Sequence, residues 1–343
     1  MRKIIPFCIL TLVFGLINSS AQGKLEPSLD STIAKGIDFI LNQEYGRADS
    51  LFCDVINRYP RHPAGFLYRA AVMQAYTIDF DVPVEREKFD SLLECGRNAA
   101  SRMLSPWREY FLGTADGYEA YERIENGDWL SGVQKSMASV SEFEELVEKD
   151  SSFYDAYVGI GTYYYWSSRK TAFLRWLPFV KDNRELGIRM LRVGAEWSEY
   201  NRFTAISALV SIYLDAENYR QAEEWSRRGL NSYPENRIFL WGLATALDRQ
   251  KHFSDAVAAY TNLLENILHV QAPHPYNEIV CRLNLVKSML AVGDTTTFKD
   301  HLGKILSYEN ILFPDNLRSR VQRKFEETRI LLSAIENKRA VVK

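Results

Sequence analysis

Residues 203–234 read FTAISALVSIYLDAENYRQAEEWSRRGLNSYP, and residues 237–268 read RIFLWGLATALDRQKHFSDAVAAYTNLLENIL. Numbered from 203 and from 237, the two stretches repeat with a period of 34 residues. In the first, Ile206, Leu209 and Tyr213 stand at positions 4, 7 and 11, Ala222 at 20, Gly229 at 27 and Pro234 at 32. In the second, Leu240, Leu243, Ala244, Leu247, Ala256, Tyr260 and Leu263 stand at 4, 7, 8, 11, 20, 24 and 27, with Leu268 in place of the proline. A third copy begins at residue 29, with Gly36, Phe39, Ala48, Phe52, Val55 and Pro60 at 8, 11, 20, 24, 27 and 32. The turn Asn57-Arg58-Tyr59-Pro60 returns as Asn231-Ser232-Tyr233-Pro234. Apolar residues at three-to-four spacing predict two helices in each copy. Small residues at 8 and 20 let the pair cross closely, and large ones at 4, 11 and 24 fill the space beside the crossing. Ser226 at position 24 departs from this pattern.

The pattern resembles the tetratricopeptide repeat, a helix pair of 34 residues. Looser pairs cover 63–104, 106–149, 153–198 and 276–307, turned at Asn126-Gly127-Asp128 and Gly293-Asp294 in two cases. Leu317, Val321, Phe325, Thr328, Leu332 and Ile335 then fall on one face of a long helix whose other face is charged, which predicts a terminal cap. The expected fold is all-α: a right-handed superhelix of about seven helix pairs with a C-terminal capping helix. The expected organisation is a signal peptide over 1–21, repeats over 22–312, and cap with tail over 313–343.

Arg2 and Lys3 precede an apolar run from Ile4 to Ile17, too short for a membrane span. Ser19 and Ala21 are the small residues a signal peptidase reads, so cleavage is expected after Ala21, with a periplasmic or secreted product. The ending Ser19-x-Ala21-Gln22 is similar to the Ser-x-Ala-Gln cleavage sites of secreted Bacteroidetes proteins. No later run reaches transmembrane length. Cys8 falls within the apolar run; Cys53, Cys95 and Cys281 remain, read as buried, inert thiols, with one bridge also open to them in an oxidising compartment.

In the 343-residue chain, 46% hydrophobic and 25% charged residues describe a folded protein, and the net charge of −2 gives no electrostatic case for nucleic acid. Catalytic, cofactor and metal motifs are not found. The chain has no H-E-x-x-H, C-x-x-C, G-x-S-x-G or P-loop, and Gly159-Ile160-Gly161 lacks the third glycine of a dinucleotide loop. His269 and His274 flank a proline turn, read as a solvated loop; Glu119, Glu122 and Glu125, and Glu142, Glu144, Glu145 and Glu148, read as solvated helix faces. The expected protein is a non-enzyme.

The resemblance implies that partners bind on the concave face made by the first helix of each pair. There the 237 copy places Ile238, Trp241, Thr245, Asp248 and Arg249, and the 203 copy Thr204, Ser207, Ser211, Leu214 and Asp215. The Lys, Asn and Arg clamp of the chaperone-tail-binding members is missing. The fourth pair is interrupted by an insertion, residues 166–181, in which Trp166, Phe173, Trp176 and Phe179 alternate with Arg169, Lys170, Arg175 and Lys181. Aromatic residues beside arginine are the composition of interface hot spots, and the same mixture suits a peripheral membrane contact or the filling of an irregular repeat junction. Part of this segment is faintly similar to a eukaryotic tetratricopeptide family of the outer mitochondrial membrane. The candidate partner-binding residues are Tyr165, Trp166, Arg169, Arg175, Trp176, Trp241, Asp248 and Arg249. The expected function is an exported scaffold for protein–protein interaction with the partner in the concave groove. The alternative is a glycan- or envelope-component-binding module, as in the starch-utilisation lipoproteins, which also use such helices.

Overall fold

The computed structural model describes residues 25–174 and 181–341. Residues 1–21, the expected signal peptide, lie outside these. Among the described residues there are fifteen α-helices, one 3-10 turn at Ala172–Leu174 and no strand. The helices are α1 (Pro27–Leu41), α2 (Tyr45–Arg58), α3 (Pro63–Phe80), α4 (Arg86–Ala100), α5 (Trp107–Glu125), α6 (Trp129–Lys149), α7 (Tyr154–Lys170) and α8 (Arg184–Trp197). They continue with α9 (Arg202–Asp215), α10 (Tyr219–Ser232), α11 (Arg237–Arg249), α12 (Phe253–His269), α13 (Tyr276–Ala291), α14 (Phe298–Leu306) and α15 (Asp315–Val341). Each helix packs on the next, and the first helices of successive pairs also touch from α1 through α3, α5, α7 and α9 to α11. First helices therefore form an inner layer and second helices an outer one: a tetratricopeptide-like repeat array.

Local signals start and stop these helices where the repeat requires. Pro27 and Pro63 open α1 and α3, where a missing N–H costs nothing. Asn236 caps α11 by accepting from the Ile238 and Phe239 amides. The turn inside a pair needs one residue in the left-handed region. Gly127 and Gly293 supply it without strain at φ 84° and 78°, and Gln43, Glu217 and Lys251 are held there at φ 59°, 56° and 63°.

Ala48, Ala222 and Ala256 are fully buried at their crossings. The departure at Ser226 has a steric reason. Position 8 of that copy is Val210, larger than the Gly36 and Ala244 of the other two, and Val210 and Ser226 are both buried. Position 24 shrinks as position 8 grows, and Gly242 of the next pair settles against both; a Cβ there would lie 2.5 Å from Val210 Cγ1 and 2.6 Å from Ser226 Oγ. At α7 and α8 two glycines bring helix backbones together. A Cβ on Gly161 would lie 2.7 Å from the Gly187 carbonyl oxygen, and one on Gly187 would lie 2.5 Å from that of Gly161.

The array does not run open from end to end. It bends back so that α1 and the end of α3 meet the heads of α9, α11 and α13. Tyr200 Oη reaches Asp30 Oδ1 at 2.5 Å, Tyr233 Oη reaches Asp38 Oδ1 at 3.1 Å, and Asn236 Nδ2 donates to the Leu41 carbonyl at 2.7 Å. Arg237 and Asp79, 4% and 2% exposed, form an ion pair across this seam. Tyr200, Val270 and Ala272 join the N-terminal hydrophobic core. The α15 helix packs Leu317, Val321 and Phe325 against α13 and α14, and Arg320 beside them pairs with Asp81 at 2.7 Å.

The α7–α8 contact makes a direct comparison possible. Gly187→Ala pushes first against the backbone of Gly161 and Tyr165 and is expected to lower unfolding stability by about 1–3 kcal/mol. Gly303→Ala, on an open face of α14, meets nothing within 4 Å and is expected to raise it by up to ~1 kcal/mol. Urea denaturation of the two variants checks both signs.

Candidate partner-binding surface

The residues singled out on sequence separate into two groups. On α7, Tyr165 is buried: its hydroxyl lies 2.8 Å from Asp215 Oδ2 and 3.3 Å from the Ile212 carbonyl oxygen. Arg169 Nε donates to the same Asp215 oxygen at 2.9 Å. These three residues fasten the last turn of α7 to α9, so Tyr165 offers no surface to a partner, contrary to the sequence expectation. The reason is the helical angle, which turns Tyr165 toward α9 and leaves Tyr157 and Tyr164 half-buried. Burial, with the Asp215 carboxylate beside it, pushes the Tyr165 hydroxyl well above its ordinary range. Trp166 is half-buried, edge-on to Tyr165 at 5.2 Å. On α11, Trp241 is half-buried and edge-on to Tyr260 at 6.4 Å, Asp248 accepts from Ser288 Oγ at 2.9 Å, and Arg249 is exposed. Pairs four and six supply these two groups, with α9 between them. Arg175 and Trp176 lie outside the described residues.

A surface that the sequence reading passed over adjoins the α7 group. Trp129, Leu130, Val133 and Met137 are 52%, 73%, 46% and 55% exposed on α6. At 100° per residue these four fall within an arc of about 100°. A different face of α6 does the core packing: Gly132, Ser139, Phe143 and Leu146 are buried, and Ser139 Oγ donates to the Gly113 carbonyl at 2.7 Å. Along the rest of α6, α7 covers the first face, with Tyr164 Oη bonded to Glu144. That cover stops where α7 ends, at Lys170, whose ammonium sits 5.5 Å above the Trp129 ring. Phe173, 75% exposed, follows directly. Beyond the Lys170 contact, Leu130, Val133 and Met137 stand open to solvent among the described residues. Its signal was present in the sequence as a second set of apolar residues on a helix that already had a core face.

The acidic clusters are not all solvated. Glu119 is buried and meets Arg97, Arg123 Nη2 at 2.7 Å and Lys135 at 3.1 Å. Glu122 is buried against Gln74 Nε2 at 3.3 Å, and burial raises its carboxyl. Glu109 is buried too, with Lys149 at 2.9 Å and Arg108 at 3.0 Å. Arg97, Lys135, Gln74 and Lys149 stand on other helices, so these carboxylates tie helix to helix, while Arg123 and Arg108 pair with them within α5. His274 is buried, not solvated, edge-on to Tyr276 at 6.5 Å. His269 sits on the Glu265 carbonyl oxygen at 2.7 Å. Among the described residues no group of His, Cys, Asp and Glu is placed to hold a metal ion, and no helix is long and apolar enough to cross a membrane. Cys53, Cys95 and Cys281 are free thiols; Cys281 is buried, whereas Cys95 is exposed, against expectation.

No family model matches the sequence, and no curated protein matches it. Among solved structures, it is similar to the C-terminal part of a TPR repeat-containing protein from Cytophaga hutchinsonii, at 14% identity over 85% of this chain and 98% of that one, with a TM-score of 0.40. It is also similar to PilW, a type IV pilus biogenesis factor, at 10% identity over 87% and 100% with a TM-score of 0.34. The RpL4 assembly chaperone Acl4 is a third, at 14% identity over 81% and 99% with a TM-score of 0.41. At these values the repeat architecture stands on the chain's own packing.

Glu109 has a measurable consequence. Burial alone would push its carboxyl up, but hydrogen bonds from Lys149, its own backbone N–H, Ser105 and Arg108 outweigh it and hold the group down to about 2, against an ordinary 4.5. Its folded pKa is depressed, so its contribution is complete above the unfolded value and disappears as pH falls from about 4.5 through about 2. Glu109→Gln is therefore expected to be less stable than the unaltered chain at pH 7. The gap between their urea midpoints should narrow through that window.

Proposed function

We propose that this chain is an exported helical-repeat scaffold that holds a protein partner on the outer face formed by the head of α6 and the end of α7. One observation carries the reading: a helix already packed by one face presents Trp129, Leu130, Val133 and Met137 to solvent on another, beside Phe173. A contiguous apolar stripe of this kind marks an interaction site. Its Trp, Met and Phe, with Arg169 and Lys170 at the edge, are the residue types that dominate protein interfaces. The sequence expectation placed the partner in the concave groove. There Asp215 and Asp248 are engaged by the chain's own Tyr165, Arg169 and Ser288, while the α6 face is apolar and open. A lipid surface fits this face less well, because Glu125 and Asp128 stand exposed at the head of α6, where anionic headgroups repel them. Export rests on the basic, apolar and small-residue order of residues 2–21.

The glycan-binding reading has one observation of its own. Trp197 is 66% exposed, with Tyr154 beside it at 6.2 Å. Glycan-array binding that Trp197→Ala removes supports it.

The protein-partner reading is tested by a photocrosslinking residue at Val133 in the native envelope. The expected outcome is a discrete product with a second polypeptide that Leu130→Asp abolishes, while circular dichroism stays unchanged. Absence of any product, or one that survives Leu130→Asp and Met137→Asp, overturns it.

A further inference from the structure

We infer that the seam is a separable clasp: its C-terminal side is a socket for an acidic–aromatic–acidic peptide segment, filled by the chain's own Asp79-Phe80-Asp81. Each residue of that tripeptide is read by its own contact. The Asp79 carboxylate takes both arms of the Arg237 guanidinium, with Nε at 3.0 Å, and the Tyr45 hydroxyl at 2.9 Å. The Asp79 carbonyl accepts from Asn277 Nδ2 at 2.7 Å. The Phe80 ring lies under the Arg237 guanidinium, 5.3 Å from its centroid. The Asp81 carboxylate pairs with Arg320 at 2.7 Å, and Arg320 is itself stacked on Tyr276 at 4.8 Å. Arg237 and Asn277 stand in the first turns of α11 and α13, where helix dipoles also favour anions. Charge, ring and backbone are all recognised, which is how a peptide motif is bound.

Three observations make this a joint that opens, in contrast to the packing between consecutive pairs. At the socket the contacts of Asp79 and Asp81 with α11, α13 and α15 are hydrogen bonds and ion pairs, as in interfaces between mobile domains, and the apolar contacts of Tyr200, Val270 and Ala272 lie elsewhere along the seam. Among the described residues four buried side-chain polar atoms lack a hydrogen-bond partner, and two of them, Gln43 Nε2 and His274 Nε2, lie along it. A cleft of about 520 Å³, lined by Gln43, Tyr45, Tyr76, Phe80 and Arg237 among others, runs in from solvent at the same place. When the clasp opens, a partner segment of the same chemistry can claim the socket. This inference is independent of the α6 face.

The test uses the full chain carrying Asp79→Asn and Asp81→Asn, with a fluorescein-labelled peptide of residues 76–83, YTIDFDVP, as probe. Small-angle scattering should show the variant larger than the unaltered chain. The peptide should bind the variant about tenfold more tightly than the unaltered chain, whose socket is filled, and adding Arg237→Met should abolish that binding. A variant that remains as compact as the unaltered chain, or that expands without binding the peptide, overturns the inference. If the variant does not fold, hydrogen exchange on the unaltered chain decides. The Arg237 amide, which donates to Gln43 Oε1 at 3.0 Å, should exchange while α2 amides stay protected. Exchange of both only by global unfolding overturns the inference.

Discussion

A guanidinium and a carboxylate almost without water join residues 158 positions apart in the chain. The closure of the array on itself depends on that contact and its neighbours. Charges removed from water are tolerated only when nearly every donor and lone pair is answered, and loss of one partner costs about 3–5 kcal/mol. Here Tyr45 donates to the Asp79 carboxylate and Asn266 accepts from the Arg237 guanidinium, while Asn277 and Gln43 bond the main chain of the two residues. A repeat array is ordinarily one-dimensional, each unit resting only on its neighbours. This pair, with Arg320–Asp81 beside it and Val270 and Ala272 in the N-terminal core, gives the chain contacts that skip several repeats.

The helix pairs were legible in the sequence because a repeat is a local code. Ala48, Ala222 and Ala256 at fixed offsets, and an apolar period of three to four, are enough to place most helices and the turns between them. Even the irregular copy follows the rule by volume: Val210 enlarges one side of the crossing and Ser226 reduces the other. The seam had no such code. Arg237 is position 1 of its copy and Asp79 the next-to-last residue of its helix, and neither spacing nor composition connects them. The same limit applies to Glu119 and Glu109, which look like parts of a solvated face from their own helix. Arg97, Lys135 and Lys149 reach them across helix boundaries, and only the packing shows that their charge is used inside.

The candidate surface was half legible for a related reason. The reading of residues 166–181 led to the end of α7, where Arg169 and Lys170 are exposed and Trp166 is partly so. It missed Trp129, Leu130, Val133 and Met137 because an apolar residue on a helix is assigned to the core by default. A helix with two apolar faces needs two neighbours, and α7 is too short to cover the second face along its whole length. The interruption in the fourth pair and the exposed stripe on the third are one irregularity seen from two sides. Where the repeat breaks, the next unit leaves part of its predecessor uncovered.

Closure and the uncovered stripe belong to one economy of surface. An open superhelix presents its inner layer to partners, and function then follows from inward-facing residues. In this chain the heads of α9, α11 and α13 are turned against α1 and α3, and inner carboxylates such as Asp215 and Asp248 are already bonded. Apolar area is left on the outer layer, at a place where the repeat is broken and the backbone of α6 is nonetheless rigid. A continuous helix presenting Trp, Leu, Val and Met has little backbone entropy left to lose on association, which favours the proposed site over a flexible one. The two sites therefore differ in kind. The proposed outer site needs no rearrangement, whereas the proposed inner socket, held by Arg237, requires the clasp to release Asp79.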